Sequence, residues 1–246
     1  MLFRSVARGL AAEGAVVSIG SREDAKIQAA ATRIQEETSS EALGTAVDVR
    51  SAESLSRWHE ATIRRFGGVD LLFVNGGGPP AGTALSFDDA GWQNAIDLLL
   101  LNAIRSIRLA VPSMKARGGG VIVVSTSTSV KEPIPNLALS NVLRAGVSAL
   151  AKTLASELSG DGIRVNHLMP GRINTDRIRE LDAMRAEQLK TTPEQAKAIQ
   201  SKLIPLGRYG EPDEFAAAAV FLFSEAARYI TGASLQVDGG MIRAVL

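Results

Sequence analysis

An α/β fold in one domain, built on a doubly wound parallel sheet, is predicted by three observations. Short β-rich apolar runs alternate with segments of helical spacing along the whole chain. The runs are apolar on both faces, as strands covered on each side by helices must be. A length of 246 residues with 46% hydrophobic content suits one full core.

Taken in order, Phe3–Glu13 reads as a helix stopped by Gly14, and the strand Ala15–Ile19 follows directly. In Ser21–Thr38, residues Ile27, Ala30, Ala31 and Ile34 fall on one stripe of a helix. Leu43–Val47 is the next strand. In the helix Ser51–Phe66 the stripe of Leu55, Trp58, Ile63 and Phe66 is less regular. Strand Val69–Val74, a helix across Asp88–Arg117, strand Val121–Val124, a helix across Asn136–Leu158 and strand Ile163–Leu168 continue the alternation. The charged, alanine-rich stretch Arg177–Gln200 has two readings: a helical excursion over the ligand edge, within 176–210, or a solvated surface helix. Helix Pro212–Phe223 and strand Ser234–Val237 complete the pattern. Right-handed crossovers then bring the carboxyl ends of the strands, with their loops, to one edge where ligands bind.

Composition removes several function classes. Lysine plus arginine (27) nearly cancels aspartate plus glutamate (26), a balance unsuited to holding nucleic acid or an anionic membrane. Aromatic residues make up 4%, too few for a base-stacking platform. No apolar run approaches the roughly 18–20 residues that span a bilayer. With no cysteine there are no disulfides, thiolate metal sites or thiol nucleophiles, and a reducing cytoplasm is the expected compartment. The opening Met1-Leu2-Phe3-Arg4 has no long apolar stretch of the secretory type. Two isolated histidines, His59 and His167, give no metal site.

Several short motifs fall at strand ends. Ile19-Gly20-Ser21-Arg22 closes a strand with a serine and an arginine, a pair suited to a 2′-phosphate, or else a helix N-cap beside an exposed arginine. Ala46-Val47-Asp48-Val49 ends another with an aspartate able to accept from an adenine amino group. Asp70–Gly78 reads DLLFVNGGG, a buried strand ending in asparagine and three glycines, where backbone can approach a ligand closely. Val165–Thr175 gives a strand, the turn Pro170-Gly171 and a polar residue four beyond the glycine.

In this order and spacing the motifs resemble the short-chain dehydrogenase/reductase family, with its Rossmann-like fold, over essentially the whole chain. Val74, Asn75, Gly76 and Gly77 lie over the family's N-N-A-G segment, and Pro170-Gly171 over its stretch beside the nicotinamide. Tyr229-Ile230-Thr231-Gly232 and Val237-Asp238-Gly239-Gly240 match its C-terminal signature. The resemblance implies that Asp48 and Val49 meet the adenine, that Asn75, Gly76 and Gly77 meet the adenosine ribose, and that Ile173 and Thr175 meet the carboxamide and pyrophosphate. Ser21 and Arg22 then tilt the cofactor towards NADP(H) over NAD(H).

The family catalyses hydride exchange with a serine, a Y-x-x-x-K pair and an asparagine. Aligning Arg144-Ala145-Gly146-Val147 with its K-A-x-V places Arg144 at the lysine and Ser140 at the tyrosine. Ser127 lies 140 − 127 = 13 residues before Ser140, close to the family's serine–tyrosine separation. Trp92 aligns so that Leu99 falls at the asparagine, with Asn102 three residues later. An aliphatic hydroxyl is a far weaker acid than a phenol of pKa about 10. Arginine keeps its charge, can bind ribose hydroxyls and cannot act as a base. Losing a positioned general acid costs roughly 10²–10⁴-fold in rate. Lys131 is a candidate substitute proton donor, or a solvated loop lysine, and Tyr209 and Tyr229 are assigned structural roles. His59 is expected to be exposed and His167 to be hydrogen-bonded in the core.

Two functions follow as expectations: an NAD(P)-dependent oxidoreductase acting on a carbonyl or secondary alcohol of a small molecule, or a non-catalytic protein keeping the fold for ligand binding or assembly. The wide apolar surfaces of Asp88–Arg117 and Asn136–Leu158 predict a symmetric dimer or tetramer. A dinucleotide fold also places a strand and a glycine-rich turn before its first helix. The natural product is therefore expected to carry such a segment upstream of Met1, and an in-frame stop codon just before Met1 contradicts this. Without it, the strands either side of the gap pair directly or leave backbone groups unsatisfied, at about 1–3 kcal/mol each. Phe3 falls where the last glycine belongs, either crowding a pyrophosphate or plugging an empty site.

Overall fold

The structure, a computed structural model, describes residues 2–244. Six strands alternate with helices: α1 (Leu2–Ala12), β1 (Val17–Ser21), α2 (Asp24–Thr38), β2 (Ala42–Ala46), α3 (Ala52–Phe66), β3 (Leu71–Val74), α4 (Asp89–Ile96), α5 (Asn102–Ala116), β4 (Gly120–Ser125), α6 (Ala138–Glu157), β5 (Ile163–Pro170), α7 (Asp176–Leu189), α8 (Pro193–Ser201), α9 (Pro212–Phe223) and β6 (Ser234–Val237). Every strand pair is parallel. The α/β class and the doubly wound, single-domain arrangement expected from the sequence are both present.

Helices cover both faces because the strands alternate apolar side chains to both. Ile122 and Val124 of β4 pack with Ile107 and Met114 of α5 and Val147 of α6. Val121 and Val123, one residue out of phase, face Val6 of α1 and Phe215 and Leu222 of α9. A third cluster joins Ile19 of β1 to Ile27 and Ile34 of α2.

Two predicted helices are broken. Asp88–Arg117 is α4 and α5 separated by a π-helical turn, Asp97–Leu101. Arg177–Gln200 is two helices: Lys190, at φ 51°, ends α7, and Thr192 opens α8 through a capping box with Gln195 and Pro193 at its first turn.

The sheet is in two pieces. β1 pairs with β2, and β3-β4-β5-β6 forms the other piece, so β1 and β3 do not pair. Of the two outcomes expected for that gap, the unpaired one holds. The Val17 N–H donates to Glu41 and the Val47 N–H to Ser21, so the backbone groups of Ser18 and Gly20 point away from β2. The Val121 N–H donates to the Asp70 carbonyl, which by the same alternation turns Leu71 and Phe73 away from β4. Both open edges line a single cavity of about 1700 Å³. Amide exchange by NMR therefore finds Ser18, Gly20, Leu71 and Phe73 exchanging well before Ile19 and Leu72, their ladder-bonded neighbours. Equal protection of the two sets would show that the edges are paired.

Candidate active site

The loops after β1, β2, β3, β4 and β5 all reach the same cavity, since parallel strands end at one edge. At its β1–β2 end, the Ser21 carbonyl accepts from the Val47 N–H at 2.7 Å, which holds the two strand ends level. Arg22 is exposed, and Arg22, Asp48 and Val49 line the cavity beside it. The Asp48 carboxylate is engaged by Arg50, with Nε at 3.0 Å from Oδ1 and Nη2 at 2.7 Å from Oδ2. Those hydrogen bonds hold the Asp48 carboxyl below the usual carboxylate range, with burial opposing and the Arg22 charge assisting. Asp48, expected to accept from an adenine amino group, already accepts from the arginine two residues on, and its partly exposed carboxylate keeps further lone pairs on the cavity side.

In the middle, Asn75, Gly76 and Gly77 follow β3 along the cavity wall. A Cβ at Gly76 would lie 2.9 Å from Leu99 Cδ2 and 3.0 Å from the Leu98 carbonyl, so glycine is what lets this loop pack on the π-turn. Gly77 has only Leu98 near its missing side chain, at 3.7 Å, and its backbone stays open to the cavity. Leu99 is buried with Ala95, Leu139 and Leu143, so the aligned asparagine position is filled by an apolar contact. Asn102 lies behind the same loop. Its Oδ1 accepts from Ser106 at 3.2 Å, while its Nδ2 is buried with no partner among the described residues. That orphan donor lies 3.6 Å from where Gly76 would carry a Cβ.

At the β4–β5 end, Ser127, Ser140 and Arg144 are brought together. Ser127 follows the Ser125-Thr126 end of β4, and its Oγ accepts from the Ser129 N–H at 3.1 Å, leaving the hydroxyl proton free to donate. One turn apart on α6, Arg144 Nε donates to Ser140 Oγ at 3.2 Å. Arg144 Nη1 donates to the carbonyls of Ser125 (3.2 Å) and Thr126 (3.1 Å), and Nη2 to that of Gly77 (3.3 Å). No carboxylate lies within 4.0 Å of this guanidinium among the described residues. Burial, and secondly the Arg177 charge, push its pKa down to about 10, which leaves it charged at neutral pH. Lys131, the candidate substitute donor, is exposed and outside the cavity lining.

The opposite wall is Pro170, Gly171, Ile173 and Thr175. Gly171 abuts Asp238, whose Cα and Cβ would each lie 2.6 Å from a side chain there, which links the two sequence motifs in space. Ile173 buries its side chain beside Phe215, while the flanking Arg172 carbonyl and Asn174 N–H bond to Gly210. The backbone of Ile173 itself then faces away from Gly210. Thr175 caps α7, its Oγ1 accepting from the Ile178 N–H at 3.4 Å.

Of the remaining candidates, Tyr209 and His167 are held by buried hydrogen bonds, whereas Tyr229 and His59 are not. Tyr209 donates to Asp182 Oδ1 at 2.9 Å, and Arg172 approaches the same oxygen at 3.5 Å, which ties α7 to the segment after Gly171. Burial pushes the Tyr209 phenol up to about 12. Tyr229 is fully exposed. His167 is the buried hydrogen-bonded group expected: Nδ1 meets Thr126 Oγ1 at 3.2 Å, and Nε2 meets Ser148 at 3.1 Å and also Ser234. Its pKa is pushed to about 4 by burial, with the Lys131 and Lys152 charges adding to the shift. His59, expected to be exposed, is instead half-buried with Nε2 unpartnered, because α3 turns that face towards the cavity.

The residues fit a nicotinamide nucleotide at this edge: an open glycine backbone at Gly77, an unpartnered buried amide at Asn102, and the free backbone of Ile173 opposite. No glycine-rich phosphate turn is found among the described residues. None of the helices described is long and apolar enough to cross a membrane.

A family profile described as enoyl-(acyl carrier protein) reductase matches residues 4–242. Human dehydrogenase/reductase SDR family member 4 is 33% identical over 239 residues, covering 96% of this chain and 82% of that protein. The 3beta-hydroxysteroid dehydrogenase 1 of Eggerthella lenta is 35% identical over 238 residues, covering 96% and 88%. Among solved structures, the L-sorbose reductase of Gluconobacter frateurii, complexed with NADPH and L-sorbose, superposes with a TM-score of 0.94 at 32% identity, covering 98% of this chain and 92% of that one. The matched span takes in every loop described above, and the chain belongs to the short-chain dehydrogenase/reductase family.

Proposed function

We propose that the protein is an NADP(H)-dependent oxidoreductase acting on a carbonyl or secondary alcohol of a small molecule, with an altered set of proton-handling residues. One observation carries this reading: the cavity edge joins the open Gly76–Gly77 backbone, the Pro170–Thr175 wall and the hydroxyls of Ser127 and Ser140 around a fixed guanidinium. The NADPH-bound sorbose reductase supports the cofactor, and the exposed Arg22 supports its phosphorylated form. NADPH would supply the hydride. Asn75, Gly76, Gly77, Pro170, Gly171, Ile173 and Thr175 would hold it, with Ser21, Arg22, Asp48 and Val49 at the other end.

Within that site the chain has three tasks. Ser127, whose oxygen already accepts from a backbone N–H, donates a hydrogen bond to the substrate oxygen and polarises the carbonyl. Arg144 anchors a ribose hydroxyl through its one free N–H, and its charge stabilises negative charge developing on the substrate oxygen, since it cannot act as a base. Ser140, held by Arg144, relays a proton from water instead of supplying one as a phenol does. A fluorescence titration with NADPH gives saturable binding below millimolar concentration. Its absence at millimolar cofactor favours the competing non-catalytic reading, which rests on Leu99, Ser140 and the lack of a glycine-rich phosphate turn among the described residues.

We also infer a symmetric dimer or tetramer in a reducing compartment. A groove between α5 and α6, lined by Ile104, Ile107, Val111, Leu150 and Leu154, presents apolar surface, and Val142 nearby in sequence is 55% exposed. Light scattering at micromolar concentration returns the mass of two or four chains, and the mass of one contradicts the inference.

A further inference from the structure

We propose that the substrate is a small oxo acid whose carboxylate is taken between Arg177 and Arg144, beside the carbonyl that Ser127 polarises. This rests on the oxidoreductase reading above and narrows it to a substrate class.

The two arginines converge on one loop from opposite walls. Arg144, on α6, donates to the Gly77 carbonyl at 3.3 Å, and Arg177, on α7, donates to the Pro79 carbonyl at 3.1 Å. Between them, a Cβ at Gly78 would lie 2.8 Å from Arg177 Nε, so the absence of a side chain there is what seats the guanidinium against the loop. Neither cation is balanced. Arg144 spends four of its five N–H groups on Ser140 Oγ and three carbonyls, all neutral. Its one remaining Nη2 hydrogen is the one left for the ribose, so towards a carboxylate Arg144 acts through its charge. Arg177 has a single 3.4 Å contact to Glu180, three residues on and 64% exposed, a pairing of little worth. Of the other charges near this end, Asp176 pairs with Arg179 and Arg172 with Asp182, while the exposed Glu132 and Arg185 line the cavity and Lys131 lies outside its lining.

Arg144, half-buried with no carboxylate partner, and Arg177, paired only with the exposed Glu180, are both costly to hold here, and an anion entering between them recovers part of that cost. Arg177 presents the N–H groups left by Pro79 and Glu180, and planar guanidinium matches planar carboxylate. Arg144 reaches Ser125 and Thr126, the two residues just before Ser127, so the carboxylate sits near the reacting carbonyl and the substrate is short. In the reduction, NADPH would supply the hydride that the oxo carbon gains and would leave as NADP⁺. The oxo oxygen gains a proton from water, and the product is the hydroxy acid.

The test is ligand-observed NMR with malonate and with uncharged malonamide, on the wild type and on Arg177→Gln. Malonate is expected to bind saturably in the millimolar range and malonamide not to bind. Arg177→Gln weakens malonate by about ten- to hundredfold, the worth of a charge-assisted hydrogen bond, and leaves the NADPH titration unchanged. Equal binding of malonate and malonamide overturns the proposal, and so does an Arg177→Gln protein that holds malonate as tightly as the wild type. Competition between malonate and NADPH, with NADPH weakened by Arg177→Gln, assigns the arginine to the cofactor's phosphates and also overturns it. Malonate bound as expected to a protein that binds no NADPH supports the carboxylate site and removes the oxidoreductase reading instead.

Discussion

Ser140→Tyr raises the rate of NADPH-dependent ketone reduction by about 10²–10⁴-fold, the contribution of a positioned general acid. Residue 140 lines the cavity one helical turn from Arg144, so a phenol introduced there enters the field of a fixed cation. That field favours phenolate and lowers the phenol below its usual value of about 10. The present hydroxyl accepts from the same arginine but is too weak an acid for the task. Ser140→Phe is the control, adding the ring without the hydroxyl, and no acceleration is expected from it. If Ser140→Tyr folds, binds NADPH and turns over no faster than wild type, proton supply at this position does not limit the reaction.

Acid weakens the fold through His167. The ring sits neutral among Thr126, Ser148 and Ser234, and burial, followed by the Lys131 and Lys152 charges, moves its pKa from 6.5 to about 4. A depressed histidine pKa means that the unfolded chain takes up the proton first. Above pH 6.5 both states are neutral and the group has no effect; between 6.5 and about 4 stability falls as pH falls; below that the loss is complete. Each tenfold difference in proton affinity between the two states is worth about 1.4 kcal/mol, so the full loss is roughly 3 kcal/mol. His59, also depressed by burial, acts in the same direction, so the His167 share is isolated by substitution. Urea midpoints for wild type fall steeply from pH 7 to pH 4.5, and those for His167→Gln fall less. Parallel slopes for the two proteins would show that the ring is not held neutral.

The alternation of strand and helix was legible because it is local. Apolar period and turn residues lie within a few positions of one another, so β4 and α2 could be read directly and β2 was misplaced only by one residue, Ala42–Ala46 against Leu43–Val47. The grouping of Ser127, Ser140 and Arg144 was also legible, through one helical turn and a resemblance. The π-turn at Asp97–Leu101 was not, since a run of four leucines leaves the same apolar stripe whether the helix widens or not. The Asp48–Arg50 pair is local as well, since the arginine two residues on closes it within its own loop.

By itself, then, the sequence determined the layered α/β class, the edge at which the candidate site lies and the chemical types present there. The tertiary structure decided how those groups are engaged. Arg177 meets Pro79 across 98 residues of chain, and Arg144 is held by carbonyls that any residue type supplies. It also decided that β1 and β3 stand apart around a cavity rather than closing on each other. Periodicity reports which face of an element is apolar. Which backbone groups find partners, and which charges are left without one, depends on distances between segments remote in sequence.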